Sequence, residues 1–303
     1  MQLPRFVASR PAGALMLLLA LGLTGCGSSS SGSSKSGASP ATTASTPTAL
    51  ALSISETGKG AKFAGAGSVK GGLVDVQLTN NGKLHHGAQL VQIVGAHSVE
   101  QALKSLGSES GKTPSWLRAD GGVGVAQPGS SATATVNLVA GNYVVVDFAG
   151  ASEGKGGPPA YAPLTVTPAP PGALPSTRTT ITAAAPSKDH YKWEISGPLR
   201  TGANSIKFVS KGKDALHEVT AVRITGNEST AQLVKALESH GPPPSYVDFQ
   251  SGDQTAALDG GKSLTTTLML PKPGTYVFFC HFTDRDGGKP HFAEGLITKI
   301  SVQ

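Results

Sequence analysis

The chain repeats itself once, and this binds both halves to one fold. LVDVQLTNNGKLHHGAQLVQI (73–93) and NSIKFVSKGKDALHEVTAVRI (204–224) run in step, so that His86 meets His217 and Ile93 meets Ile224. A helical piece follows in each: SVEQALKSL from Ser98, with Gln101 three residues on, and STAQLVKAL from Ser229, with Gln232 three on. Ser followed by Gln at this distance, ahead of apolar residues at helical spacing, is a capping box. TPSWLRADGGVG then matches PPSYVDFQSGDQ, AGNYVVVDF matches PGTYVFFCHF, and GGPPAYAPLTV matches GGKPHFAEGLITKISV. Order and spacing persist, so the chain is a tandem duplication.

Within each copy, VDVQL, HGAQLVQIV, TATVNL, YVVVDF and LTV read as short alternating strands bounded by Gly, Asn and Pro. The 39 glycines, 21 prolines and 5% aromatic content suit an all-β exported protein. Each copy is therefore expected to be a small β-sandwich with a single inserted helix and its own core. The expected divisions are a leader over 1–25, a tether over 26–47, a first domain over 48–167, a Pro-rich linker over 168–179 and a second domain over 180–303.

The leader carries Arg5 and Arg10, an apolar run from Ala12 to Leu23, and then Leu23-Thr-Gly-Cys26. That order is a secretion signal, and a run of about 12 residues is short of the roughly 20 that span a bilayer. Leu-Thr-Gly-Cys resembles the bacterial lipobox. The resemblance implies cleavage before Cys26, lipidation of that residue and anchoring at the outer face of the cytoplasmic membrane. The Ser-rich stretch after Cys26 suits a flexible tether. Net charge is +6, from 25 basic and 19 acidic residues, and two of the basic ones go with the leader. No Lys/Arg cluster with interleaved aromatics appears, so nucleic acid is not an expected partner.

If Cys26 is consumed by lipid, Cys280 is left as an unpaired thiol in an exported protein, which calls for burial or a metal. A strand ends at Tyr276-Val-Phe-Phe-Cys280, a loop follows, and His291 stands where the chain turns back into a strand. Closing that loop brings Cys280 and His291 together, and His217 opens a strand that a sandwich can lay beside them. One thiolate and two imidazoles form the trigonal ligand set of a blue copper site. A buried core cysteine is the other reading.

Here the second copy resembles the cupredoxins, the plastocyanin and azurin family. Gly274-Thr-Tyr276 leads to Cys280, His291 follows, and Gly295-Leu296 stands where the family has Gly-Met. The resemblance implies a pair of tandem cupredoxin-like sandwiches, with copper held by His217, Cys280 and His291. Leu296 takes the axial position without being a donor. The Cys-to-His loop is longer than in the small electron carriers and holds Asp284, Arg285 and Asp286. The first copy has Asp147 for Cys280 and Ala160 for His291, so it resembles the family in fold alone.

His281 is expected to face away from Cys280, and Glu218 to point outward. Glu294 is expected in solvent, as the nearest oxygen donor to an open axial position. His85, His97, His190 and His240 are expected to be solvated, and Trp116 and Tyr246 to anchor the core. Three functions stay open: one-electron transfer with a redox partner, copper storage or delivery with an exchange partner, and a metal-free binding module of the envelope. Eight histidines without a His-x-His pair, and no nucleophile–base set, give the expectation of a carrier and not an enzyme.

Overall fold

The computed structural model describes residues 46–58, 60–108, 111–153, 158–213, 215–239 and 244–303. The leader, Cys26 and His240 lie outside them. Among the described residues no helix is long and apolar enough to cross a membrane.

The first half holds β1 (Thr48–Thr57), β2 (Gly60–Ala64), β3 (Ser68–Lys70), β4 (Gly72–Asn80), β5 (His86–Ile93), α1 (Val99–Leu106), β6 (Leu117–Ala126), β7 (Ser131–Leu138), β8 (Gly141–Asp147), α2 (Phe148–Glu153) and β9 (Ala160–Thr167). The second holds β10 (Thr179–Ser187), β11 (His190–Ser196), β12 (Gly202–Ser210), β13 (Leu216–His217), β14 (Thr220–Ile224), α3 (Thr230–Glu238), β15 (Val247–Gln254), β16 (Leu258–Asp259), β17 (Ser263–Leu270), β18 (Gly274–Phe279) and β19 (Ile297–Val302).

Side-chain alternation sets the inward faces. In β1, Leu50, Leu52 and Ile54 are buried while Ala49 and Ala51 between them are exposed. Both capping boxes form, with Ser98 and Gln101 on α1 and Ser229 and Gln232 on α3 each satisfying the other's backbone N–H. The copies also share a tyrosine corner: Tyr143 Oη donates to the Val139 carbonyl (3.1 Å) and Tyr276 Oη to that of Lys272 (2.9 Å). The short helix α2, after Asp147, is an addition to the one inserted helix expected in the first copy.

The halves are fused more closely than a linker between separate cores would suggest. β7 pairs antiparallel with β17, setting Val136 opposite Leu264 and Ala134 opposite Thr266. These strands hold equivalent places, since Leu138 pairs with Gly72 in β4 as Leu270 pairs with Gly202 in β12. The copies therefore meet about a pseudo-two-fold axis, as an isologous dimer does. One eight-stranded sheet results, in the order β11-β10-β12-β17-β7-β4-β1-β2. A second also crosses the boundary, β13-β16-β6-β5-β8-β9-β3. The sheet β15-β14-β18-β19 belongs to the second half alone. One apolar core runs through both halves, taking Val76, Leu90 and Val136 from the first and Phe208, Leu264 and Tyr276 from the second.

Candidate metal centre

Cys280 follows the last residue of β18, a strand hydrogen-bonded on both sides and buried from Tyr276 onward. The loop after it closes on itself. His291 N–H donates to the Phe282 carbonyl (2.7 Å), Phe292 N–H to that of Cys280 (3.0 Å) and Leu296 N–H to that of His291 (2.8 Å). This returns His291 to the end of β18. His217 arrives from the neighbouring strand, which breaks between β13 and β14 at Glu218 and Val219. The break turns the Glu218 N–H toward Cys280 Sγ (3.5 Å), and Val219 N–H toward Thr255 Oγ1 (3.0 Å).

His217, Cys280 and His291 are thereby gathered, with one ligand atom of each within 4.8 Å of the others. All three are fully buried. His291 Nδ1 lies 3.7 Å from Cys280 Sγ. His217 Nε2 donates to the Lys211 carbonyl (3.1 Å), which leaves its buried Nδ1 unprotonated and, among the described residues, without a partner. His291 Nε2 lies 3.3 Å from Asp284 Oδ1, which directs its Nδ1 inward in the same way. Burial, with His291 adding to it, lowers the His217 pKa to about 3, and burial lowers that of His291 to about 4. Both imidazoles are therefore neutral donors near pH 7. Burial, and then the Glu218 carboxylate, push the Cys280 thiol well above its ordinary value, so a bound cation must displace its proton. A soft thiolate and two neutral imidazoles with aligned lone pairs fit copper.

Leu296 is buried beside the cluster. The one methionine after the leader, Met269, lies 43% exposed on β17. Glu294 is half-buried and lines a surface depression with Asp189, His190 and Lys289, outside the three-residue group.

Several surroundings differ from expectation. Glu218 does not point outward. It is buried, and its carboxylate accepts from Gln254 Nε2 (2.5 Å) and Thr220 Oγ1 (3.4 Å) and lies 3.3 Å from His281 Nδ1. His281 accordingly sits apart from the cluster, edge-on to Phe279. His97 stacks on Trp116 at 4.0 Å, and His85 reaches Gln127 Oε1 at 2.7 Å. Sequence reasoning missed Tyr191. Its ring lies 4.2 Å from that of His291 and 5.2 Å from that of His217, and its hydroxyl donates to Asp284 Oδ1 (2.5 Å). The alternation of Tyr191, Trp193 and Ile195 in β11 was the available signal.

No family model and no curated protein matches the chain. Solved structures to which it is similar include a dithionite-reduced auracyanin from Roseiflexus castenholzii, at 25% identity over 42% of this chain and 99% of that one, with TM-score 0.26. A multicopper oxidase is similar at 15% identity over 84% of this chain and 88% of that one, TM-score 0.23. A copper-containing nitrite reductase from Thermus scotoductus is similar at 13% identity over 84% and 61%, TM-score 0.24. The described residues build two tandem, mostly β units, as expected of a duplicated cupredoxin-like sandwich. The expectation of a carrier and not an enzyme is corrected: structures of enzymes, an oxidase and a nitrite reductase, are among those that cover 84% of the chain.

Proposed function

We propose that this is a copper-binding protein that passes single electrons through a type 1-like centre of His217, Cys280 and His291. A lipid on Cys26 would hold it at the outer face of the cytoplasmic membrane, where it meets a redox partner. The observation that carries the reading is the buried Nδ1 of His217, left without a partner among the described residues, beside a thiol and a second inward-directed Nδ1. An unsatisfied buried acceptor is costly, and a metal ion relieves it. Bound copper supplies a one-electron couple; the residues supply its fixed frame. Lys211 and Asp284 orient the two imidazoles, the Glu218 N–H faces the sulfur, and Tyr191 with Leu296 keeps water out. A frame held by these bonds would keep the reorganisation on one-electron transfer small. Storage or delivery of copper is the second reading, favoured by the complete burial of the three donors.

The test is a visible spectrum after adding Cu(II). An intense sulfur-to-copper band is expected, lost in Cys280→Ser, disturbed in His291→Ala and kept in His281→Ala. A wild-type protein without the band, or a Cys280→Ser variant that retains it, refutes the centre. A reversible potential separates electron transfer from storage. Cys26→Ser tests the anchor: a variant that stays membrane-bound and normally processed refutes it.

A further inference from the structure

The first half lacks the donors for a thiolate site, yet it grips the loop that joins two of them. Thr113 N–H donates to the Arg285 carbonyl (2.8 Å), and Arg285 Nη1 donates to the carbonyls of Pro114 (2.9 Å) and Thr113 (3.4 Å). The other guanidinium arm, Nη2, binds Asp259 Oδ1, while Arg118 of the first half reaches Asp259 Oδ2 at 3.5 Å. Thr283 Oγ1 lies 3.3 Å from the Gly111 carbonyl. Ala119 packs with Leu216 and Ala257, and Phe282 rests against them. Leu216 and Phe282 adjoin His217 and His281, so the interface reaches both ligand segments.

Arg285 is buried at 6% exposure. A buried guanidinium needs its hydrogen bonds met; two of the three bonds that the Arg285 side chain makes go to carbonyls of the other half of the chain, and its Nε finds no partner among the described residues. The next residue back, Asp284, holds both His291 Nε2 and the Tyr191 hydroxyl. Displacing Arg285 therefore displaces the group that orients His291 and covers it.

We propose that the first half is the latch of the ligand loop: its 111–114 segment and Ala119 hold residues 281–290 closed over the donors, with Arg285 as the positioning residue. In its consequence for copper this rests on the ligand assignment above; in its consequence for access to Cys280 it does not.

The experiment uses the full chain, alkylating Cys280 in metal-free protein and reading its own peptide by mass spectrometry. Loss of copper to a Cu(I) chelator is followed in parallel. Arg285→Met, which removes the charge-assisted bonds, should raise the alkylation rate about tenfold. Arg285→Lys should fall between that variant and the wild type. Thr113→Pro, which deletes a donor far from the copper ligands in sequence, should raise it too, and carries the test if Arg285→Met does not fold. The increase should not depend on urea below the unfolding transition, the mark of a local opening. Copper loss should quicken in the same order. Rates within twofold of wild type in folded variants, or a urea-dependent increase that tracks global stability, overturn the latch. A wild type that takes no copper while the variants alkylate faster removes the copper reading and leaves the latch standing.

Discussion

His86 Nδ1 lies 2.6 Å from Asp147 Oδ2, at the two places that His217 and Cys280 hold in the second half. The register confirms the equivalence: Gln89 pairs with Val146 as Thr220 pairs with Phe279. Gly87 N–H donates to Asp147 Oδ1 (2.8 Å) just as Glu218 N–H faces Cys280 Sγ. Where one copy gathers donors for a cation, the other has a carboxylate on an imidazole, with Glu56 at 3.2 Å on its far side.

That arrangement makes the stability of the first half depend on pH. Burial opposes the imidazolium of His86, but Asp147 and Glu56 outweigh it and hold its pKa above the ordinary value. A group raised on folding stabilises fully below its unfolded pKa, about 6.5 for His, and its contribution is lost as pH rises through the folded value. Thermal midpoints should therefore fall across that window, and His86→Gln should flatten the fall while costing about 3 kcal/mol, because it leaves the buried Asp147 without its cation. A pH profile unchanged by His86→Gln would count against this pair.

The two tyrosine corners should differ in strength. Tyr276→Phe removes the bond donated to the Lys272 carbonyl and a longer one accepted from the Lys272 N–H (3.3 Å), both to neutral backbone groups, and should cost about 1 kcal/mol. Tyr143 shares its one hydroxyl hydrogen between the Val139 carbonyl and the nearer Asp120 Oδ2 (2.9 Å), a buried carboxylate, so Tyr143→Phe should cost about 2 kcal/mol or more. Urea denaturation of the two variants checks the order. Equal losses would mean that the Asp120 bond adds nothing.

What was legible in the sequence was local or repeated. The capping boxes depend on residues three apart, and the duplication aligned Asp147 with Cys280 and His86 with His217 before any contact was known. The closure of Cys280 on His291 follows from one loop between adjacent strands. The pairing of β7 with β17, and of Arg285 with Pro114, joins segments more than a hundred residues apart, and no local pattern encodes such a partner. Buried charge was illegible for another reason: Glu218 reads as an outward-facing residue, and Arg285 as one charge of a long loop, until their partners, Gln254 and Asp259, are brought beside them.

If copper occupies the centre, Leu296→Met should tune it without dismantling it. The exchange nearly conserves volume and should cost less than about 1.5 kcal/mol. A thioether offered at the axial place stabilises Cu(II) more than Cu(I) and should lower the reduction potential. Electrochemistry on a variant that keeps the sulfur-to-copper band decides this; an unchanged or higher potential places Leu296 away from the metal.

Two carboxylates should hold the potential down. Glu218 lies close enough to Cys280 to oppose its ionisation, and Asp284 binds His291 Nε2. A fixed negative charge favours the more positive oxidation state, so Glu218→Gln and Asp284→Asn should each raise the potential, by the equivalent of about 1–2 kcal/mol at an effective dielectric of about 20. Tyr191→Phe should act in the opposite direction. It removes the hydroxyl that donates to Asp284 Oδ1, leaving more of that carboxylate's charge to His291 and through it to the metal. Three potentials measured at one pH and ionic strength test the account together. If the two carboxylate variants leave the potential unmoved, or if Tyr191→Phe raises it, these charges do not couple to the metal through His291 and Cys280.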